Sequence, residues 1–305
     1  MTEVLRTPEE RFMDLPDFPY DPIYIEDLKG FQGLRMSYLD EGPKNADHMF
    51  LCLHGEPTWG FLYRKMIPIF TDAGYRVIAP DYFGFGRSDK PVEEEVYTFD
   101  FHRKALISFI EHLELKNITL VCQDWGGILG LTLPLDMPTR FSRLLVMNTT
   151  LGTGDIQLSK GFLEWRAWVR KNPDMSAGRL LKLTCPHLSE AECAAYEAPF
   201  PDIRYKAGVR RFPEIVPDRP HAPGAELSRS AREWLRSKWT GPVFMAVGMK
   251  DPVLGPPVMQ VLRNDIRNCP EPYEHSEAGH FVPEWGEEIA EKALAFFDGQ
   301  KDHHP

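Results

Sequence analysis

Seven consecutive residues, Val121-Cys122-Gln123-Asp124-Trp125-Gly126-Gly127, constrain the fold of this chain more than any other stretch. Residues 118–123 are β-branched and apolar enough to read as a short buried strand, and the segment from Trp125 onward has helical period. Only Asp124 separates the two. A strand-to-helix turn this tight needs small neighbours, and Cys122 and Gly126 supply them on either side. The chain must therefore pass from sheet to helix within one residue, leaving the Asp124 carboxyl projecting above the carboxyl end of its strand.

The same alternation recurs elsewhere. Strands are predicted at 33–39, 49–53, 76–80, 118–123, 143–148 and 243–248, with a last one at 272–276, each bounded by Gly, Pro or polar residues. Helices are predicted over 60–72, 98–114, 125–138 and 283–298. This pattern implies a mostly parallel sheet covered on both faces, with sites at the strand carboxyl ends. From 152 to 232 the alternation stops, and helical segments such as Phe162 to Arg170 take its place, punctuated by Trp, Phe and Pro. The chain of 305 residues thus reads as one core, 1–151 and 233–305, with an inserted helical cap, 152–232, closing a dry cavity above Asp124.

A net charge of −10 gives no basic footprint, so nucleic acid is not an expected partner. The opening segment, Met1 to Glu10, carries charges where a secretory signal needs an apolar stretch. The most apolar run, Ile128 to Leu135, is broken by Pro134 and is far shorter than the roughly 20 residues that span a bilayer. Cysteines 52, 122, 185, 193 and 269 cannot all pair and show no C-x-x-C spacing, which favours reduced thiols over disulfides or a metal site. A soluble, cytoplasmic monomer without membrane contact, metal or cofactor is expected.

Chemistry enters with the order of three acid/base residues. Asp251 follows the strand ending Met245-Ala-Val-Gly248, and His280 sits in Ala278-Gly-His-Phe281 after the last strand. Alone, Asp251 is a turn former before Pro252 and His280 a core or helix-start histidine. Together with Asp124 they repeat the α/β-hydrolase order of nucleophile, acid and histidine. A serine at the turn attacks carbonyls; an aspartate suits in-line displacement at a saturated carbon and leaves an ester on the enzyme. His54-Gly55-Glu56-Pro57, directly after the strand ending at Leu53, reads as an oxyanion-hole loop, with the backbone N–H groups of Glu56 and Trp125 as its donors.

His54-Gly-Glu-Pro-Thr-Trp59, Gln123-Asp-Trp-Gly-Gly127, Gly161-Phe-Leu-Glu-Trp165, Gly248-Met-Lys-Asp-Pro252 and Ala278-Gly-His-Phe281 resemble the haloalkane dehalogenases over nearly the whole chain. The resemblance is to the subgroup whose catalytic acid follows the late strand; the other subgroup carries asparagine where this chain has Glu56. It implies an α/β-hydrolase fold with an eight-stranded, mostly parallel sheet and a helical cap, acting on a small halogenated alkane with water and releasing halide. It implies Asp124, Asp251 and His280 as catalytic residues, Trp125 and Trp165 as halide donors, and Ile128, Phe162, Phe212, Pro213 and Leu254 as the substrate wall. The halide role has physical support, because an indole N–H donates without accepting. On spacing alone, Phe162, Trp165 and Val169 would be a packing stripe, and Trp168 is a local rival to Trp165.

Three other readings compete. An epoxide hydrolase would use cap tyrosines, for which Tyr196 and Tyr205 are available. A fluoroacetate-type enzyme wants an arginine beside the nucleophile, where this chain has Trp125 and Gly126. A catalytically silent scaffold would have no reason to keep the Asp-Asp-His set. Gly84 to Asp89, including Arg87-Ser88-Asp89, reads as a structural loop, and Glu93 to Glu95 as a solvated face.

Overall fold

The computed structural model describes residues 3–301, so residues 1, 2 and 302–305 of the expected core lie outside it. Eight strands form one sheet: β1 (Ile23–Ile25), β2 (Met36–Glu41), β3 (Met49–Leu53), β4 (Arg76–Pro80), β5 (Ile118–Gln123), β6 (Phe141–Met147), β7 (Val243–Gly248) and β8 (Tyr273–His275). Their order is β8-β7-β6-β5-β3-β4-β2-β1. All neighbours from β8 to β4 run parallel, and β2 and β1 close the edge antiparallel. The α-helices among the described residues are α1 (Ile67–Asp72), α2 (Phe99–His112), α3 (Trp125–Gly130), α4 (Leu133–Asp136), α5 (Lys160–Lys171), α6 (Ala177–Thr184), α7 (Glu190–Glu197), α8 (Ala207–Ile215), α9 (Ala225–Ser237), α10 (Pro256–Asp265) and α11 (Gly286–Lys301).

The central strands are largely apolar on both faces because both faces of the sheet are covered. Leu51, Leu53, Leu120, Cys122 and Val146 join one buried cluster with α2 and α3. Their alternates Phe50, Cys52, Val121, Leu145 and Met147 join another with α1 and α11. The period of two along each strand thus divides the core into two halves on opposite sides of one sheet.

Several expected boundaries shift. β2 starts at Met36 rather than 33 and runs antiparallel, and β1 was not anticipated because a three-residue strand between prolines 22 and 19 and a turn carries little periodicity. The helix expected at 60–72 is a 3-10 turn, Gly60–Tyr63, followed by α1, and the one expected at 125–138 splits into α3 and α4. Pro68 and Pro134 sit in the first turns of α1 and α4, where a missing N–H costs nothing and an interior position would break the helix. The proposed cap boundary at 232 falls inside α9, which packs against α4 and α10 of the core rather than over the site.

A buried ion cluster fastens α7 to the core. Arg64 donates two hydrogen bonds to Glu284, at 2.7 and 2.9 Å, and one to Glu192 of α7 at 2.6 Å. The Tyr196 hydroxyl donates to the same Glu284 carboxylate. Removing one partner strands a buried charge, which costs about 3–5 kcal/mol. Glu284→Ala is therefore expected to lower the unfolding free energy by that amount in urea titrations. Glu214→Ala, which breaks the exposed Arg170–Glu214 pair, should leave the midpoint nearly unchanged.

Candidate active site

The site lies where the strand order reverses. β4 and β5 flank β3 on opposite sides, so the loops leaving β3 and β5 diverge and open a crevice at their carboxyl ends. β3 and β5 stay in register to the Leu53 and Cys122 pair, after which His54-Gly55-Glu56 and Asp124 face one another. Asp124 has φ 51° and ψ −123°, a strained conformation for a residue with a side chain. The strain is held by the backbone: Asp124 N–H donates to Asn148 O at 3.0 Å, and its carbonyl accepts from the Thr149 hydroxyl at 2.6 Å. Glycine is obligatory at two neighbours. A Cβ on Gly126 would stand 1.9 Å from Leu53 O, and one on Gly55 would stand 2.4 Å from the Asp124 carboxylate.

The three residues predicted from chain order converge. His280 Nδ1 lies 2.9 Å from Asp251 Oδ2, and its Nε2 lies 3.6 Å from Asp124 Oδ2. Asp251 is clamped in turn: Asn148 donates to Oδ2 at 2.9 Å and Val253 N–H to Oδ1 at 2.7 Å. Burial alone would raise the Asp251 pKa, but the His280 charge and these hydrogen bonds prevail and hold it below the ordinary value. For His280 burial works downward, and the charges and hydrogen bonds of Asp251 and Asp124 outweigh it, pushing the pKa up to about 10. With Asp124 ionised, His280 is thus an imidazolium at neutral pH.

The Glu56 backbone N–H donates to Asp124 Oδ1 at 2.9 Å, as expected for an oxyanion donor. Trp125, the other predicted donor, is the first residue of α3, where a backbone N–H has no acceptor within the helix. The Glu56 carboxyl is buried, and burial together with the nearby Asp124 charge drives its pKa well above the usual range; the Trp165 indole pulls weakly the other way. Glu56 in the cavity wall therefore holds its proton more tightly than an ordinary carboxyl. His54 fixes the loop from below: its Nδ1 contacts Gly55 O at 2.9 Å and its Nε2 accepts from Tyr82 N–H at 3.0 Å. Burial lowers its pKa to about 4, consistent with a neutral ring making both contacts.

A cavity of about 670 Å³ opens above Asp124, walled by Glu56, Trp125, Ile128, Phe162, Trp165, Trp168, Pro213, Leu254 and His280 among others. Both predicted halide donors therefore face one chamber, and Trp168, stacked on Trp165 at 5.5 Å, faces it too. Phe212 is a correction. It is fully buried outside the wall and meets the Trp125 ring edge to face at 4.5 Å, so it supports the indole and does not touch the chamber. Neither Tyr196 nor Tyr205 lines the cavity, and Tyr196 is spent on Glu284.

Two polar residues were not singled out from sequence. Asn148 links β6 to β7 through Gly248, accepting at 2.8 Å and donating at 3.1 Å, while holding Asp251. Its only signal was its place at the carboxyl end of a predicted strand. Gln123 ends β5 and contacts His280, and it had been read only as part of a motif.

An open parallel sheet, a strained turn bearing the nucleophile and the Asp-His pair on later turns define an α/β hydrolase, and the family described as the alpha/beta hydrolase fold matches residues 49–287. Within it, the chain belongs to the haloalkane dehalogenase family. It is 45% identical over 304 residues to a haloalkane dehalogenase of Psychrobacter cryohalolentis, covering 96% of this chain and 98% of that one. It is 42% identical over 296 residues to one of Mycolicibacterium paratuberculosis, with the same coverage. Among solved structures, haloalkane dehalogenase DpaA from Paraglaciecola agarilytica, described as tetrameric, superposes with a TM-score of 0.94 at 53% identity, covering 96% of this chain and 98% of that chain. Among the described residues no helix is long and apolar enough to cross a membrane.

Gly55 offers a direct check on how closely the nucleophile is held. Gly55→Ala places a methyl group against the Asp124 carboxylate. A displacement of about 1 Å is enough to cost about a hundredfold in rate. Halide release should fall by that order while circular dichroism stays unchanged.

Proposed function

We propose that the protein hydrolyses short haloalkanes to an alcohol and halide through an ester on Asp124. The observation that carries this reading is the meeting of Asp124, His280 and both indole-bearing residues, Trp125 and Trp165, around one largely apolar chamber. One Asp124 oxygen attacks the halogen-bearing carbon in line; the new C–O bond forms as the carbon–halogen bond breaks, and halide departs with the bonding pair. Trp125 and Trp165 donate their indole N–H groups to that halide, and an apolar chamber keeps water from competing for it.

The second step is released by the first. Esterification removes the Asp124 charge, one of the two carboxylates that hold His280 as an imidazolium, and so lowers the pKa of the ring. His280 then becomes a base, takes a proton from water, and the water oxygen adds to the ester carbonyl carbon. The resulting oxyanion on Asp124 is received by the Glu56 and Trp125 N–H groups, each worth about 3 kcal/mol in comparable holes. Collapse expels the alkoxide, which recovers the proton from His280 and leaves as alcohol. Asp251 orients the ring and favours its charged form, and Asn148 orients Asp251.

Glu56 and the cap tryptophan support assignment to the subgroup with the late catalytic acid. The cap is proposed as 152–224, ending before α9. Ile128, Phe162, Pro213 and Leu254 are proposed to shape the substrate space. A single chain is proposed as the working unit, since Asp124, Asp251, His280 and both indole-bearing residues already meet within it. Reduced thiols at all five cysteines support a cytoplasmic setting. Epoxide opening is disfavoured because the tyrosines that would protonate it do not line the chamber.

His280→Phe should complete displacement and stop there. After incubation with 1,2-dibromoethane, mass spectrometry of this variant should show a bromoethyl adduct on Asp124; an unmodified chain with no bromide released contradicts the scheme. Bromide should quench tryptophan fluorescence in the wild type, and Trp165→Phe should weaken that binding.

A further inference from the structure

Among the described residues, two side chains are within hydrogen-bond distance of the His280 ring, Asp251 and Gln123, and the scheme above leaves Gln123 unused. It ends β5, one residue before the nucleophile, and is fully buried. Its Nε2 lies 3.0 Å from the His280 carbonyl oxygen and 3.2 Å from His280 Nε2. A carbonyl oxygen only accepts, so the amide must turn its NH2 group toward His280; the reverse orientation would set two oxygens against each other. The second amide N–H then faces ring Nε2, which can receive it only as an unprotonated lone pair. The opposite ring nitrogen, Nδ1, is committed as donor to Asp251. The amide Oε1 is buried without a hydrogen-bond partner among the described residues, so the orientation is set by His280 and by nothing on the other side.

We propose that Gln123 is a positioning residue that stabilises the neutral Nδ1–H form of His280, so that His280 is a free base in the alkyl-enzyme at neutral pH. The inference rests on the covalent reading above. The groups facing His280 divide cleanly. Asp251 at 2.9 Å and Asp124 at 3.6 Å favour the imidazolium. Glu56, whose pKa burial drives up, also acts on His280 across the chamber, and Lys250, Glu277 and His187 line an outer pocket together with His280. Burial and the Gln123 amide favour the neutral ring. Before displacement the two carboxylates prevail. After it Asp124 is an uncharged ester, while the Gln123 contact is unchanged because it is built from the same strand. When Nε2 takes the proton of the attacking water, it loses its acceptor character toward Gln123 and faces an N–H instead, which favours handing that proton on to the departing alkoxide.

The side-chain contacts of Gln123 are with His280, which acts in hydrolysis and not in displacement, so its effect belongs to hydrolysis of the ester and to the pH at which it occurs. The test is rapid-quench single turnover of 1,2-dibromoethane by wild type, Gln123→Met and Gln123→Glu from pH 5 to 10, reading bromide for displacement and the mass of the Asp124 adduct for hydrolysis. Hydrolysis needs neutral His280, so its rate rises with pH and levels off above the ring's pKa in the alkyl-enzyme. Loss of the amide raises that pKa. The rising limb should move to higher pH in Gln123→Met and further in Gln123→Glu, whose carboxylate accepts from Nε2–H. Adduct decay on the limb should slow at least tenfold while the bromide burst persists. A limb at the same pH in all three proteins overturns the proposal, as does an equal loss of burst and decay at every pH, which marks a packing role. Gln123→Glu is nearly isosteric and serves if Gln123→Met does not fold. Absence of any adduct in wild type and both variants, with bromide still released, overturns the covalent reading itself and is distinguishable from both results.

Discussion

Everything in this site depends on one carboxylate held at a backbone conformation that a side-chain-bearing residue avoids. Asp124 at φ 51° stays there because its amide, its carbonyl and its carboxylate are each tied to a different neighbour: Asn148, Thr149 and the Glu56 N–H. Those neighbours come from the segments that follow β6 and β3, the strands on either side of β5. The parallel sheet is therefore more than a support. It supplies the hydrogen bonds that offset the strain, and it sets them at the one place where adjacent loops part.

The charges in the chamber are arranged around this group. Three carboxyls lie close together, and they differ in state because their partners differ. Asp251 is held ionised by His280 and by N–H donors, whereas burial and another negative charge drive the Glu56 pKa far up. Asp251 and Asp124 both favour the charged ring of His280. Alkylation turns Asp124 into an uncharged ester, and the imidazolium then loses one of the two carboxylates that stabilise it. The order of the two chemical steps follows from electrostatics that the first step itself changes.

How much of this was legible beforehand depended on whether the signal was local. Asp124 and Asp251 each follow a strand with a clear apolar run, His280 follows a short polar one, and chain order linked the three. The short edge strand Ile23–Ile25 and the breaks before α1 and α4 were hidden, because three residues carry no period and a proline reads alike as the end of a helix or its first turn. Phe212 was placed in the substrate wall, yet an aromatic on a cap helix has the same sequence signature whether it faces the chamber or backs the indole that does. Asn148 and Gln123 were missed for a similar reason. Their importance lies in what they touch across the sheet, at Asp251 and at His280, and sequence spacing says nothing about a contact formed over 103 or 157 positions.

The fate of the cap tyrosines shows how a shared architecture separates two chemistries. Opening an epoxide requires an acid over the nucleophile, and a phenol reaching down from the cap would serve. Tyr196 is instead turned away, fully buried, with its hydroxyl donating to the Glu284 carboxylate that also binds Arg64. The charge of Glu284 and the burial of the ring push the phenol pKa far up, so it holds its proton and cannot act as an acid near neutral pH. The residue that might have supplied acid catalysis is used to anchor α7. What looks down on Asp124 from the cap is Trp165 beside Trp168, whose N–H groups suit a leaving group that departs as an anion and never needs a proton.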